Sequence, residues 1–198
     1  IRFHPNLKKN KIICPLVPPS DREEIIIDER KYIINNSIKI PYAFDGLSIL
    51  FIGSLMATAY DFDLVFTALE KIKLQDNNNK IRILICGEGP IKEKLANSIN
   101  NKKLKDSIFL LGWVNREEMY RLARYSDAAI APYKALNNYE GHLPNKIADY
   151  LQLGLPIISS LKKEFPKIVK KYNIGFTFEN IEDLVLIFNN LINAESNY

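Results

Sequence analysis

Two segments of the 198-residue chain hold residue types that could meet a charged small molecule. The first reads Gly87-Glu88-Gly89-Pro90, between an apolar run and a helical pattern. Glycines there let the backbone close on a phosphate, and a following helix N-terminus offers free amides with positive dipole character. They suit equally a tight turn needing positive φ, and the residues alone favour neither account. A dinucleotide fingerprint would want a third glycine at position 92, where Lys92 stands.

The second segment runs from Glu140 through His142, Pro144, Asn145 and Lys146 to Asp149 and Tyr150. Read as a helix, it turns Ile147 and Leu151 to the core and gathers Asn145, Lys146 and Asp149 on the other side. A cation and a carboxylate then stand near a helix N-terminus, either as a ligand site or as a solvated face with a weak surface pair. His142 lies in a polar loop and has no special warrant as a catalyst.

The elements that must position these groups form a regular series. An apolar run at residues 49–52 ends at Gly53, and Leu64, Val65, Ala68, Leu69 and Ile72 recur at helical spacing. A strand at 81–86 is followed by the glycine turn and a helix from Pro90. A strand at 107–111 runs into Gly112-Trp113-Val114, and Asn115 with Glu118 caps the next helix. Strand 127–131, a helix over 144–153 between Pro144 and Gly154, strand 155–159, a Lys-rich helix at 164–171, strand 175–178 and a last helix capped by Asn180 and Asp183 complete the pattern.

Six strands alternating with six helices predict an α/β fold, a doubly wound, mainly parallel six-stranded sheet covered on both faces. Such sheets bind ligands beyond the carboxyl ends of their strands, so the loops after Ile52, Cys86, Leu111, Ala131 and Ser159 matter most. Residues 1–44 fall outside the repeat. The proline-closed run at 12–19 reads as a connecting segment, and residues 20–44 are left unassigned between a short helix and a strand.

The formal net charge of +4 resides in Arg2, Lys8, Lys9 and Lys11. A local excess of this kind argues against a nucleic-acid-binding face. Cys14 and Cys86 have no metal-ligand spacing, no metal is expected, and a reducing compartment fits. The longest uncharged stretch, residues 46–60, is too short to span a membrane as a helix. The opening Ile1 reads as the start of an excerpt.

Five signals stand in register: Ile-Leu-Phe-Ile-Gly, Leu-Ile-Cys-Gly-Glu-Gly-Pro, Phe-Leu-Leu-Gly-Trp-Val, Ser-Asp-Ala-Ala-Ile-Ala-Pro, and Pro-Asn-Lys-Ile-Ala-Asp-Tyr-Leu-Gln-Leu-Gly-Leu-Pro-Ile-Ile. With their βα spacing they resemble, from about Ile49 to Ile192, the second lobe of the retaining GT-B glycosyltransferases, glycosyl transferases group 1. The resemblance implies a Rossmann-like lobe over residues 45–198 that holds a UDP- or GDP-sugar, with residues 1–44 as an inter-lobe linker and leading segment. Transfer would take place against an N-terminal lobe outside this chain, so this chain alone is expected to be inactive. The acceptor would be a saccharide or a lipid-linked saccharide. The setting implied is surface polysaccharide synthesis in the cytoplasm, with peripheral association at the inner face of the membrane, and without cofactor or metal.

By the same resemblance Asp149 matches the acid that accepts hydrogen bonds from ribose hydroxyls. Gly112-Trp113-Val114 matches the base-binding turn, and Gly53, Gly87 and Gly89 fall in the glycine turns around the phosphates. Two departures stand out. The family pairs two glutamates separated by seven residues, whereas Glu140, the catalytic candidate, and Asp149 are separated by eight. Ser54 and Ala59 occupy places where the family puts Arg and Lys. The diphosphate charge then falls to Lys146 and the amides of Asn145 and Lys146, aided by Lys134. A non-catalytic nucleotide-binding module and a UDP-sugar epimerase of similar architecture are the competing readings.

Overall fold

The computed structural model describes residues 32–35, 38–75, 80–134 and 143–195. Two short strands, β1 (Tyr32–Asn35) and β2 (Ile38–Pro41), pair antiparallel in the stretch that sequence leaves unassigned. The repeat then proceeds as β3 (Leu47–Ile52), α1 (Phe62–Gln75), β4 (Ile81–Cys86), α2 (Lys92–Asn101), β5 (Ile108–Gly112), α3 (Arg116–Arg124) and β6 (Ala128–Ala131). It continues with α4 (Asn145–Gln152), β7 (Ile157–Ser159), α5 (Glu164–Tyr172), β8 (Gly175–Thr177) and α6 (Ile181–Glu195).

The expected six-stranded sheet is present, in the order β5-β4-β3-β6-β7-β8, with every neighbouring pair parallel. The chain builds outward from β3 to β5, returns to the middle at β6, and builds outward again to β8. Strand order therefore reverses between β3 and β6, where such sheets form a crevice at their carboxyl edge.

Alternation along the strands sorts the core into two layers. Leu47, Ile49 and Phe51 of β3 and Ile83 and Ile85 of β4 pack under α1, α2 and α6. Leu50, Leu84, Cys86, Ala129 and Ala131 meet α3, α4 and α5. Burial on both faces is why β3 from Ile49 and β4 from Ile83 read as continuous apolar runs rather than alternating ones. β6 offers only the small Ala129 and Ala131 to its second face, which leaves room for Ile147 and Tyr150 of α4.

The caps expected for α3 and α6 form. Asn115 Oδ1 accepts the Glu118 N–H at 2.8 Å, and Asn180 Oδ1 accepts the Asp183 N–H at 2.9 Å. Two expectations are corrected. The helix expected from Pro90 starts at Lys92, because the Ile91 N–H donates to the Leu55 carbonyl and the Lys92 N–H turns back to the Gly89 carbonyl. On α4 the fully buried partner of Ile147 is Tyr150 instead of Leu151, which is only half-buried. The Tyr150 hydroxyl finds polar partners inside, so its ring can turn inward without stranding a polar atom.

At the amino edge of the sheet Arg82 is buried, 2% exposed, opposite Ser48 in register. Its guanidinium donates to Ser48 Oγ at 3.0 and 3.1 Å, to the Tyr42 carbonyl at 2.7 Å and to the Pro41 carbonyl. Burial lowers its pKa to about 10, against the pull of Asp127, whose Oδ2 accepts the Ser48 N–H at 2.8 Å. The chain entering β3 is thus fastened to the sheet by one side chain.

Candidate functional site

The reversal of strand order supplies the place, and α4 supplies the side chains. Tyr150 stands across the gap between β3 and β6: its hydroxyl accepts the Ile52 N–H at 3.0 Å and donates to the Ile130 carbonyl at 3.3 Å. Burial raises its pKa, so it serves as a neutral bridge and not as a proton donor in chemistry. One turn earlier, Lys146 directs its ammonium to the Ile52 carbonyl. That ammonium also lies 4.4 Å from the ring centre of Phe51, 5.2 Å from Tyr60 and 5.7 Å from Tyr150. Aromatic faces attract a cation but leave its remaining N–H donors unused.

Burial lowers the Lys146 pKa to about 8, from its ordinary 10.5, with Asp149 opposing. The group is therefore charged at neutral pH and close to losing its proton. Asp149 is exposed at the mouth, and a cavity of about 230 Å³ opens between α3 and α4. Ile52, Met119, Tyr120, Lys146, Asp149 and Tyr150 line it together with Gln152 and Leu153. A cation, a carboxylate and apolar walls around one opening suit a ligand carrying a charged group, hydroxyls and a flat apolar part.

The glycine turns pack against one another beside this opening. Gly87 has φ +153, and a Cβ there would overlap the Gly53 carbonyl oxygen. At Gly53, φ +148, a Cβ would strike the Lys146 ammonium. Both residues are thus accounted for by close approach of loop to loop and of loop to cation. Gly89 lies against Leu55, and the Gly87 N–H donates to the Gly112 carbonyl at 2.7 Å. The loops after β3, β4 and β5 consequently form one layer, which brings the Gly112-Trp113-Val114 turn to the same edge. Trp113 is 74% exposed there, so it is not a lid packed over its own loop.

Lys146 and Asp149 line one cavity, Gly53 packs on Lys146 and Gly87 on Gly53, and Gly89 lies on the same layer of loops, with Trp113 and Val114 beyond them on the β5 side. Asn145 is exposed at the first turn of α4. Lys134 is exposed after β6, with its ammonium held by the Ala57 carbonyl at 2.7 Å. That bond ties the loops after β3 and β6 together, as do Asp61 N–H to the Pro132 carbonyl and Lys134 N–H to the Ala59 carbonyl. Glu140 and His142 lie outside the described residues. Ser54 and Ala59 carry no charge at the edge, which leaves Lys146 as the cation in the crevice among the described residues.

The cage residues Phe51, Tyr60 and Tyr150, and the walls Met119 and Tyr120, are absent from the sequence-derived site. Tyr150 could have been found from its place four residues after Lys146; Phe51 and Tyr60 look like ordinary core residues. Among the described residues no group of His, Cys, Asp and Glu side chains could hold a metal ion. Cys86 beneath the glycine turn is buried, and burial pushes its thiol to about 12, out of reach of nucleophilic chemistry.

A chitobiosyldiphosphodolichol beta-mannosyltransferase of Dictyostelium discoideum is 25% identical over 155 residues, 69% of this chain and 31% of the relative. The chain thus spans about a third of the length of the curated relatives it matches. Among solved structures, the lipopolysaccharide outer core galactosyltransferase WaaB superposes with a TM-score of 0.61 at 17% identity, over 76% of this chain and 41% of the other. HepE of Anabaena, solved in complex with UDP, gives 0.58 at 13% identity, over 77% and 44%. The family profile described as glycosyl transferases group 1 matches residues 39–197, which takes in the whole sheet, both glycine turns and the Lys146 helix. A match over that span settles the assignment: the chain belongs to the glycosyl transferases group 1 family.

Proposed function

We propose that this domain is the donor side of a hexosyltransferase and holds the nucleotide of a UDP- or GDP-sugar in the crevice between β3 and β6. The observation that carries the reading is Lys146, a partly buried cation with unused donors at the point where strand order reverses, one turn from Asp149 and beside a cavity. In this reading the Lys146 ammonium meets the diphosphate, Asp149 accepts the ribose hydroxyls, and the Gly112-Trp113-Val114 turn meets the base. Transfer breaks the bond between the sugar's anomeric carbon and the diphosphate and forms one to an acceptor hydroxyl, whose proton is released. The nucleoside diphosphate leaves.

The acceptor is a saccharide carried on a lipid. The name of the relatives, chitobiosyldiphosphodolichol beta-mannosyltransferase, supports that class over a surface polysaccharide, and it supports mannose as the sugar. An N-terminal lobe, a cytoplasmic setting and peripheral contact with a membrane belong to the same reading, as does an inter-lobe role for residues 1–44. The absence of charge at Ser54 and Ala59 favours one rival, a nucleotide-binding module without transfer activity.

Calorimetry with uridine, UDP and GDP tests the site in the 198-residue chain. Binding of at least one diphosphate is expected, and Asp149→Ala should weaken nucleoside and nucleotide alike by roughly 10- to 100-fold, the size of a hydrogen bond to a charged acceptor. No binding at millimolar concentration would sink the reading. Slow hydrolysis of a sugar nucleotide by the protein with its facing lobe separates the transferase from the module.

A further inference from the structure

We propose that Tyr42 is a positioning residue for the nucleotide: its phenol, bonded to Glu118, sets the first turn of α3 and with it the Gly112-Trp113-Val114 turn. The inference rests on the reading of that turn as the one that meets the base.

Tyr42 lies on the chain between β2 and β3, and its own carbonyl and that of Pro41 are gripped by Arg82. The backbone at Tyr42 therefore belongs to the rigid amino edge of the sheet. Its ring is 3% exposed and stacks at a tilt on Tyr125, 5.2 Å between centres, with the Arg121 guanidinium 6.0 Å away. The hydroxyl donates to Glu118 Oε1, and Arg121 Nη1 donates to the other carboxylate oxygen at 3.2 Å. Arg121 Nη2 reaches Glu117 at 2.6 Å. Burial and the Glu118 carboxylate hold the phenol's pKa near 12, so its proton stays in place across the working pH range.

Glu118 connects this cluster to the site. It is the third residue of α3, and its backbone N–H is the one capped by Asn115 at 2.8 Å. Asn115 follows Val114 directly, and the next residues after Glu118, Met119 and Tyr120, line the cavity. A single helical turn thus joins the base turn on one side to the cavity wall on the other. The bond that fixes it comes from 76 residues away, in the chain entering the domain. A phenylalanine would fill the same apolar space. The hydroxyl adds the bond to Glu118 and an interaction with Arg121, and a hydrogen bond to an ionised acceptor is among the stronger kinds.

Tyr42→Phe keeps the ring and removes that bond. Trp113 is the chain's one tryptophan, so its emission anisotropy reports the turn in the 198-residue chain without ligand. The variant is expected to lower that anisotropy and to raise the dissociation constant for UDP or GDP by roughly five- to tenfold. Glu118→Ala, which also takes a partner from Arg121, should do at least as much, and the double variant should lose no more than Glu118→Ala alone, since the phenol's bond is then already gone. Unchanged affinity and anisotropy in Tyr42→Phe, or full additivity of the two changes, would overturn the proposal. If Tyr42→Phe does not fold, Glu118→Gln decides: retaining an acceptor, it should keep the wild-type anisotropy, and behaviour like Glu118→Ala refutes the role. A wild-type chain that binds neither nucleotide overturns the assignment of the turn, and the proposal falls with it.

Discussion

Arg82 and Lys146 are both cations drawn into the interior of one sheet, at opposite edges, and they are treated differently. Arg82, at the amino edge, donates to three backbone carbonyls, those of Pro41, Tyr42 and Tyr125, and to a serine hydroxyl. Lys146, at the carboxyl edge, has one carbonyl and three aromatic faces. Both have lowered pKa values, and burial is the main cause in each. The difference lies in what remains to be satisfied. A buried cation whose donors are all used fastens chain to chain, whereas one with donors to spare can still gain from an anion.

Charge removal should separate the two most widely. Arg82→Met leaves the Pro41 and Tyr42 carbonyls and Ser48 without their donor, and a loss of about 3–5 kcal/mol is expected, the scale for breaking a buried charged network. Urea denaturation of the chain measures it. Lys146→Met in the same experiment should be neutral or slightly stabilising, because a desolvated charge is removed and the Tyr150 hydroxyl remains 3.5 Å from the Ile52 carbonyl. Equal destabilisation by both would erase the distinction.

A smaller effect appears in binding. Lys146→Met should weaken UDP by roughly tenfold while leaving uridine nearly unchanged, since only the diphosphate offers charge to an ammonium group. Parallel loss of both ligands would show that the residue merely holds the loop after β3.

The smallest effect is the response to pH. With its folded pKa at about 8, Lys146 loses charge as pH rises from 7 to 9, so the preference for UDP over uridine should shrink several-fold across that interval. Stability moves the other way. Between about pH 8 and 10.5 the unfolded chain holds this proton more tightly than the folded one, so this group's contribution rises with pH and disappears in Lys146→Met. A preference independent of pH would mean that Lys146 does not face the phosphates.

Much of this was legible before any coordinates, for physical reasons. Strand and helix periods alternate without interruption from Leu47, because a sheet buried on both faces forces continuous apolar strands and one-sided helices. The caps at Asn115 and Asn180 are local events written in adjacent residues. The place of Lys146 and Asp149 followed from the motif and the edge rule together. Contacts that join distant segments were not legible. Phe51 and Tyr60 become a cage only when α4 is laid over the β3 loop, and Tyr42 meets Glu118 only because Arg82 pins the entering chain. The start of α2 depends on such a contact too, since a loop 36 residues earlier takes the Ile91 amide.

The ladder across the point of reversal is thin. β3 and β4 share six residue pairs, while β3 and β6 share two, Ile49 with Ala128 and Leu50 with Ala129. The sheet is in effect two three-stranded leaves sewn together by a short seam, with Tyr150 and the Tyr60–Tyr133 bridge as stitches near its open end. Local opening costs least where the fewest bonds must part. A molecule lodged across the seam would act as one more stitch, making the two leaves harder to pull apart without altering their shape. Occupancy of the crevice would then register at the far edge strands, β5 and β8, as stiffness alone.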